Sequence, residues 1–199
     1  MSISSPDPPG EEPDASVITT SRLELVPASI ELLQAALDGA HVLREKLRAE
    51  VPASWPNEFL DDAALQYTRE KLSQAPHDRM WWMYFILLFR APAGRTLIGS
   101  AGYKGPPSGD GTVEIGYGIV DDHQRCGYAT EAARALIERA FACPRVTRVV
   151  AETLPELTGS IGVLRKCGFR LEGPGSESGA IRFVLSRQDC EGGLDLSSQ

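Results

Sequence analysis

Residues 114–142 read EIGYGIVDDHQRCGYATEAARALIERAFA, and the reading of this stretch decides the fold. EIGYGIV at 114–120 is strand-like. From Tyr128 to Ala142 the pattern turns helical: Ala129, Ala132, Ala133, Leu136, Ile137 and Ala140 recur at helical spacing, with Glu131, Arg134 and Glu138 opposite. Between the two lies HQRCGYAT, 123–130, which carries Gln124, Arg125 and Cys126 where a helix normally has a Ser, Thr, Asp or Asn cap. A helix start presents backbone N–H groups with no partner inside the helix, together with the positive end of its macrodipole. A bound anion can cap such an end. Gly127 lets the backbone approach that anion, and Ala129 keeps the first turn uncluttered. A glycine before a helix is also found in ordinary loops, so the surroundings have to decide.

Downstream, Pro144 stops the helix and VTRVVAET at 146–153 reads as a strand. A helix-length crossover from 112–120 to 146–153 makes these two strands parallel. A weaker helix follows at 158–167, where Gly159 and Gly162 each cost roughly 1 kcal/mol relative to alanine. Its end is well specified, with Gly168 in the left-handed position after the helix and Phe169 folding back on Leu164. Residues 169–173 and 180–186 form a closing hairpin. Upstream, the pattern predicts a strand at 20–26 with Leu23 and Leu25 on one face, a helix at 29–36 capped by Ser29, and a second helix at 61–74 capped by Asp61. Strands at 81–89, 96–103 and 112–120, separated by APAG and GPPSGDG, form an antiparallel meander. Trp81 and Trp82 fall on opposite faces of the first of these. Trp55, between two prolines, either gates a substrate or anchors its loop. The class is α/β, in one domain.

Composition limits the function classes. The formal charge of −7 resides in the ends: Asp7, Glu11, Glu12 and Asp14 at one, Asp189, Glu191 and Asp195 at the other. Of 27 acidic residues, 20 remain in the body, matching 20 Lys and Arg, so no basic stripe supports nucleic acid or an anionic membrane as partner. Residues 1–16 and 188–199 read as disordered acidic tails flanking a domain at 17–187. Cys126, Cys143, Cys167 and Cys190 form no metal-ligand spacing with the histidines and no disulfide framework, which implies no metal and a cytoplasmic location. WWMYFILLF at 81–89 is uninterrupted apolar sequence but far short of the ~20 residues of a membrane helix, so it reads as a buried strand.

With these elements in place, Gln124, Gly127 and Ala129 resemble the Q/R-x-x-G-x-G/A signature of the GNAT superfamily of acyl-CoA-dependent N-acyltransferases. TTSRLELVP at 19–27 and SIGVLRKCGFRLEG at 160–173 are similar to the opening strand and the closing helix and strand of the branch that contains the ribosomal-protein N-terminal acetyltransferases. The resemblance implies a mixed, mostly antiparallel sheet whose strands at 112–120 and 146–153 splay around acetyl-CoA. Pantetheine is expected along the backbone near Gly118, Ile119 and Val120. Gln124 belongs to the same signature, and the diphosphate is expected on the amides of Arg125, Cys126, Gly127, Tyr128, Ala129 and Thr130. A homodimer is compatible with the sequence.

Acetyl transfer to an amine needs a neutral amine and a proton for the departing thiolate. At pH 7 a lysine amine requires roughly 4.6 kcal/mol to lose its proton and a peptide α-amine about 1.1. Glu114 stands at a strand position where some relatives have a catalytic glutamate. It lies about 13 Å along the strand from Gly118, so as a base it would act on the acceptor amine through water. Many relatives carry a tyrosine acid in the final helix, where this chain has Leu164. The ribosomal-protein branch places a serine nearby, and Ser160 matches it. Leu157 stands where that branch has an asparagine that contacts the cofactor. The expected acceptor is a protein or peptide N-terminus or a small amine, and the rival reading is a non-catalytic acyl-CoA-binding module.

Overall fold

The structure is a computed structural model that describes residues 16–57, 60–90 and 94–192. Most of both expected tails therefore lies outside the described residues. The elements run β1 (Ile18–Thr19), β2 (Leu23–Pro27), α1 (Ile30–Asp38), α2 (Ala40–Leu47), α3 (Asp62–Gln74), β3 (Met83–Arg90), β4 (Gly94–Tyr103), β5 (Thr112–Ile119), α4 (Tyr128–Ala142), β6 (Arg148–Thr153), α5 (Thr158–Lys166), β7 (Arg170–Pro174), β8 (Ile181–Ser186) and α6 (Arg187–Gly192). The strands form one sheet in the order β1-β2-β3-β4-β5-β6-β8-β7, antiparallel throughout except for the pair β5 and β6.

β3 shows why residues 81–89 are apolar without alternation. Tyr84, Ile86 and Leu88 join the core under α4 and α5, whereas Met83, Phe85 and Leu87 join the core under α1, α2 and α3. A strand buried on both faces has no polar side to show. The strand starts at Met83, two residues later than expected, because a 3₁₀ turn opened by Pro76 runs through Trp81. The two tryptophans still part to opposite cores, Trp81 to the α4 side and Trp82 to the α3 side.

The caps follow the sequence closely. Ser29 accepts from Leu32 N and Asp61 from Ala64 N. At the end of α5, Phe169 N donates to Leu164 O and Gly168 N to Arg165 O, with Gly168 at φ 87°, the paired bonds of a Schellman motif. Three features differ. The first expected strand starts only at Leu23, because 20–22 form the turn between β1 and β2, and α2 follows α1 directly because Gly39, at φ 117°, breaks the helix and restarts it. The chain also continues as the short helix α6 past 187. Ser186 Oγ accepts from Asp189 N, and the Asp189 carboxylate accepts from Ser186 N at 3.3 Å as well as from Arg170, so a capping box starts α6.

Candidate active site

β5 and β6 are paired only from Thr112–Glu114 to Arg148–Val150; beyond those residues they separate. On its other edge β5 stays paired with β4 as far as Ile119. Lys104 N donates to Glu114 O and Val120 N to Ile98 O, so the backbone groups of 114, 116, 118 and 120 face β4. Those of Ile115, Tyr117 and Ile119 therefore face the gap. A groove of about 1530 Å³ follows this gap, bounded by 115–119 of β5, 151–154 of β6, the start of α4 and the start of α5. It continues over β4 past Ser100, Gly102 and Lys104 to Asn57, Leu60 and Thr68 near α3. The opening thus reaches both sides of the sheet.

At the start of α4, Gly127 is the residue before the first helical one, at φ 81° and ψ 3°, and no side chain caps the helix. A left-handed residue followed directly by right-handed helical ones turns successive N–H groups toward one point, a concavity suited to an anion. Arg125 also has a left-handed φ of 60°, a conformation that costs a non-glycine residue of order 1 kcal/mol. Gly127, Tyr128, Ala129 and Thr130 line the groove together with Gln124 and Arg125. Cys126 is exposed, and its carbonyl is held by Arg22. The Gln124 amide donates to Ile119 O and to Asp121, so this side chain fixes the turn that leads out of β5.

Of the strand residues expected near pantetheine, Gly118 and Ile119 line the groove, and Val120 is buried in the α3-side core. Gly118 carries no side chain for a spatial reason: a Cβ there would stand 2.6 Å from Asn57 Nδ2. Gly99 opposite is more constrained, since a Cβ would lie 2.2 Å from Gly118 O. Gly159 and Gly162 of α5 face the groove with nothing within 4 Å of such a Cβ, so the helix gives up propensity and leaves that wall low.

The two expected catalytic residues lie in different settings. Ser160 is in the first turn of α5 and lines the groove. Glu114 does not line it. Its carboxylate is paired with the Lys104 ammonium, and Lys104 is the residue that reaches the groove. Leu164 is buried in the core, so the helix position where many relatives have a tyrosine carries none here. A tyrosine that sequence reasoning passed over arrives from the strand instead. Tyr117 OH lies 3.2 Å from Ser160 O and 3.4 Å from Ser160 Oγ, and burial pushes its pKa up to about 12. Period two puts Tyr117 on the face of Ile115 and Ile119, and a phenol on an apolar face needs a partner for its hydroxyl, the signal that could have found it. Trp55 is 8% exposed with its ring 6.0 Å from that of Phe85, which makes it an anchor of its loop. Glu152 lines the groove but is tied to Arg182 and Ser176; burial raises its pKa, and the hydrogen bonds from these partners outweigh that and lower it.

The chain is similar to known proteins in sequence and in fold. Residues 22–170 match the model of the acetyltransferase (GNAT) domain. YjdG of Bacillus subtilis (strain 168), named an uncharacterized N-acetyltransferase, is 32% identical over 162 residues, which span 81% of this chain and 94% of that protein. Among solved structures, an acetyltransferase from Agrobacterium tumefaciens str. C58 superposes with a TM-score of 0.59 at 21% identity, covering 87% of this chain and 96% of that one. RimL, a ribosomal L7/L12 alpha-N-protein acetyltransferase solved in complex with coenzyme A, gives 0.58 at 17%, covering 86% and 98%. Such distant structures establish the common fold; the domain match over most of the sequence, with a full-length relative, establishes that this chain belongs to the GNAT acetyltransferase family and is an acyltransferase.

Proposed function

We propose that the protein transfers an acetyl group from acetyl-CoA to a primary amine, on a peptide N-terminus or a small molecule, by direct attack of the amine on the thioester. The observation that carries this reading is the convergence of the β5/β6 gap and the uncapped start of α4 on one groove. Pantetheine lies along the gap-facing edge of β5, near Gly118 and Ile119 with Val120 behind them, and the diphosphate rests on the amides of 125–130. No helix among the described residues is long and apolar enough to cross a membrane.

The acceptor enters from the α3 side, where the groove crosses Ser100 and Gly102. Glu114 serves as base through water, because Lys104, paired with its carboxylate, is the residue that reaches the groove. That arrangement favours an α-amine, which needs only about 1 kcal/mol to become neutral at pH 7, over a lysine side chain. On the thiolate side, Ser160 and Tyr117 present paired hydroxyls. With its pKa near 12, Tyr117 holds its proton against a thiolate whose conjugate acid is near 8.5, so it stabilises the leaving sulfur as a hydrogen-bond donor by turning its O–H from the Ser160 carbonyl, which accepts it here, to the thiolate. Incubating the protein with acetyl-CoA and a panel of peptides, polyamines and aminoglycosides tests the reading. Amine-dependent thiol release is expected, and binding of acetyl-CoA without turnover on any amine would contradict it in favour of a binding module.

A further inference from the structure

The first turn of α4 contains an acidic residue, Glu131, at the end of the helix where the proposed diphosphate must bind. A carboxylate there ordinarily interacts with the helix N-terminus itself and repels an incoming anion. In this protein it is drawn away. Glu131 Oε1 accepts from Thr20 Oγ1 at 2.6 Å, Ser21 Oγ at 3.0 Å and Arg22 N at 2.9 Å, while Oε2 accepts from Arg22 Nε at 2.7 Å and pairs with Nη2 at 2.6 Å. The turn between β1 and β2 thus wraps the carboxylate from a segment more than 100 residues distant in sequence. Burial raises the Glu131 pKa, and these hydrogen bonds outweigh that effect and lower it.

The same guanidinium has a further contact. Arg22 Nη1 donates to Cys126 O at 3.0 Å, and the group lies 4.6 Å above the Tyr128 ring. In a trans peptide the C=O and the following N–H point in opposite directions. Holding the Cys126 carbonyl on the Arg22 side therefore turns the Gly127 N–H the other way, in a loop that also contains the left-handed Arg125 and Gly127.

We propose that Arg22 and Glu131 form a clasp that positions the anion-binding loop: Glu131 fixes the guanidinium, and the guanidinium fixes the 126–127 peptide with its N–H free for the diphosphate. Both are positioning residues, and the inference rests on the acetyl-CoA reading above. The role differs in sign from a simple charge effect. Were charge alone at work, Glu131→Gln would remove a negative group beside the diphosphate and tighten coenzyme A, and Arg22→Lys would preserve affinity. The clasp requires the reverse. A glutamine amide turned toward the guanidinium cannot accept its fork, and a lysine cannot hold Glu131 and the Cys126 carbonyl in one plane.

Calorimetric titration of the full chain with coenzyme A separates these cases, with thermal melting of the unliganded variants as the control for folding. About tenfold or greater weakening is expected for Glu131→Gln, Arg22→Lys and Arg22→Ala alike. Tighter binding by Glu131→Gln, or affinity unchanged in all three variants despite lower melting temperatures, would overturn the clasp and leave the acetyl-CoA reading standing. Failure of the wild-type protein to bind coenzyme A would overturn that reading itself.

Discussion

Tyr117 OH, from β5, lies 3.2 Å from the carbonyl oxygen of Ser160 and 3.4 Å from its hydroxyl, which joins a strand and a helix across the proposed thioester site. Leu164, where many relatives have a tyrosine, is buried, and a phenol reaches the groove from the opposite wall. If Tyr117 stabilises the departing thiolate, Tyr117→Phe lowers kcat by ~10- to 100-fold and leaves the KM for acetyl-CoA within a few-fold. Steady-state kinetics with any accepted amine checks this. An unchanged kcat would assign the phenol to packing.

Tyr84, Tyr103 and Tyr117 all have pKa values raised, mainly by burial, the first and last to about 12. A buried phenol stays protonated while the unfolded chain ionises near 10, so the folded state binds more protons in that window and stability falls as pH rises through it. Melting temperature should hold steady up to about pH 10 and then drop toward pH 12. Tyr117→Phe should soften the drop, because one of the three phenols is gone.

Glu114→Gln tests the base. Because Lys104 holds the carboxylate and reaches the groove in its place, Glu114 has to act through water. A loss of ~10² or more in turnover is expected if it takes the acceptor proton, with the loss shrinking as pH rises and the amine becomes neutral unaided. A smaller loss, independent of pH, would make it a structural partner of Lys104.

Gly99→Ala should destabilise the domain by about 2 kcal/mol or more, since the new Cβ would meet Gly118 O at 2.2 Å with only backbone to yield. The strain falls where β4 holds β5 open beside the gap, so affinity for coenzyme A should fall along with the denaturant midpoint. Gly159→Ala, with open space around it, is the control for stability.

Legibility in the sequence followed the range of the interactions. Ser29, Asp61 and Gly168 act within a few residues of themselves and were readable as helix boundaries. The α4 stripe was readable because its period is local, and the parallel pair because the α4 crossover forces it. α2 was missed because Gly39 interrupts the apolar pattern and only Leu43 and Leu47 are buried beyond it. The capping box at Ser186 and Asp189 is just as local, but it lies in acidic sequence that reads as a tail. What could not be read was long-range: Arg22 to Glu131, Tyr117 to Ser160, and the Lys104 ammonium over Glu114, which makes the expected base a less direct one. Each depends on where the sheet places residues distant in sequence.

Thermal melting with and without ligand tests most directly whether coenzyme A occupies the β5/β6 gap with its diphosphate on the amides after Gln124. At about 100 times its dissociation constant, a ligand that binds only the folded state adds roughly 2.7 kcal/mol, which raises the melting temperature of a domain this size by about 5–10 °C. Coenzyme A is predicted to give such a shift, and pantetheine, which lacks the diphosphate, little or none at the same concentration. No shift with millimolar coenzyme A, or an equal shift with pantetheine, would contradict it.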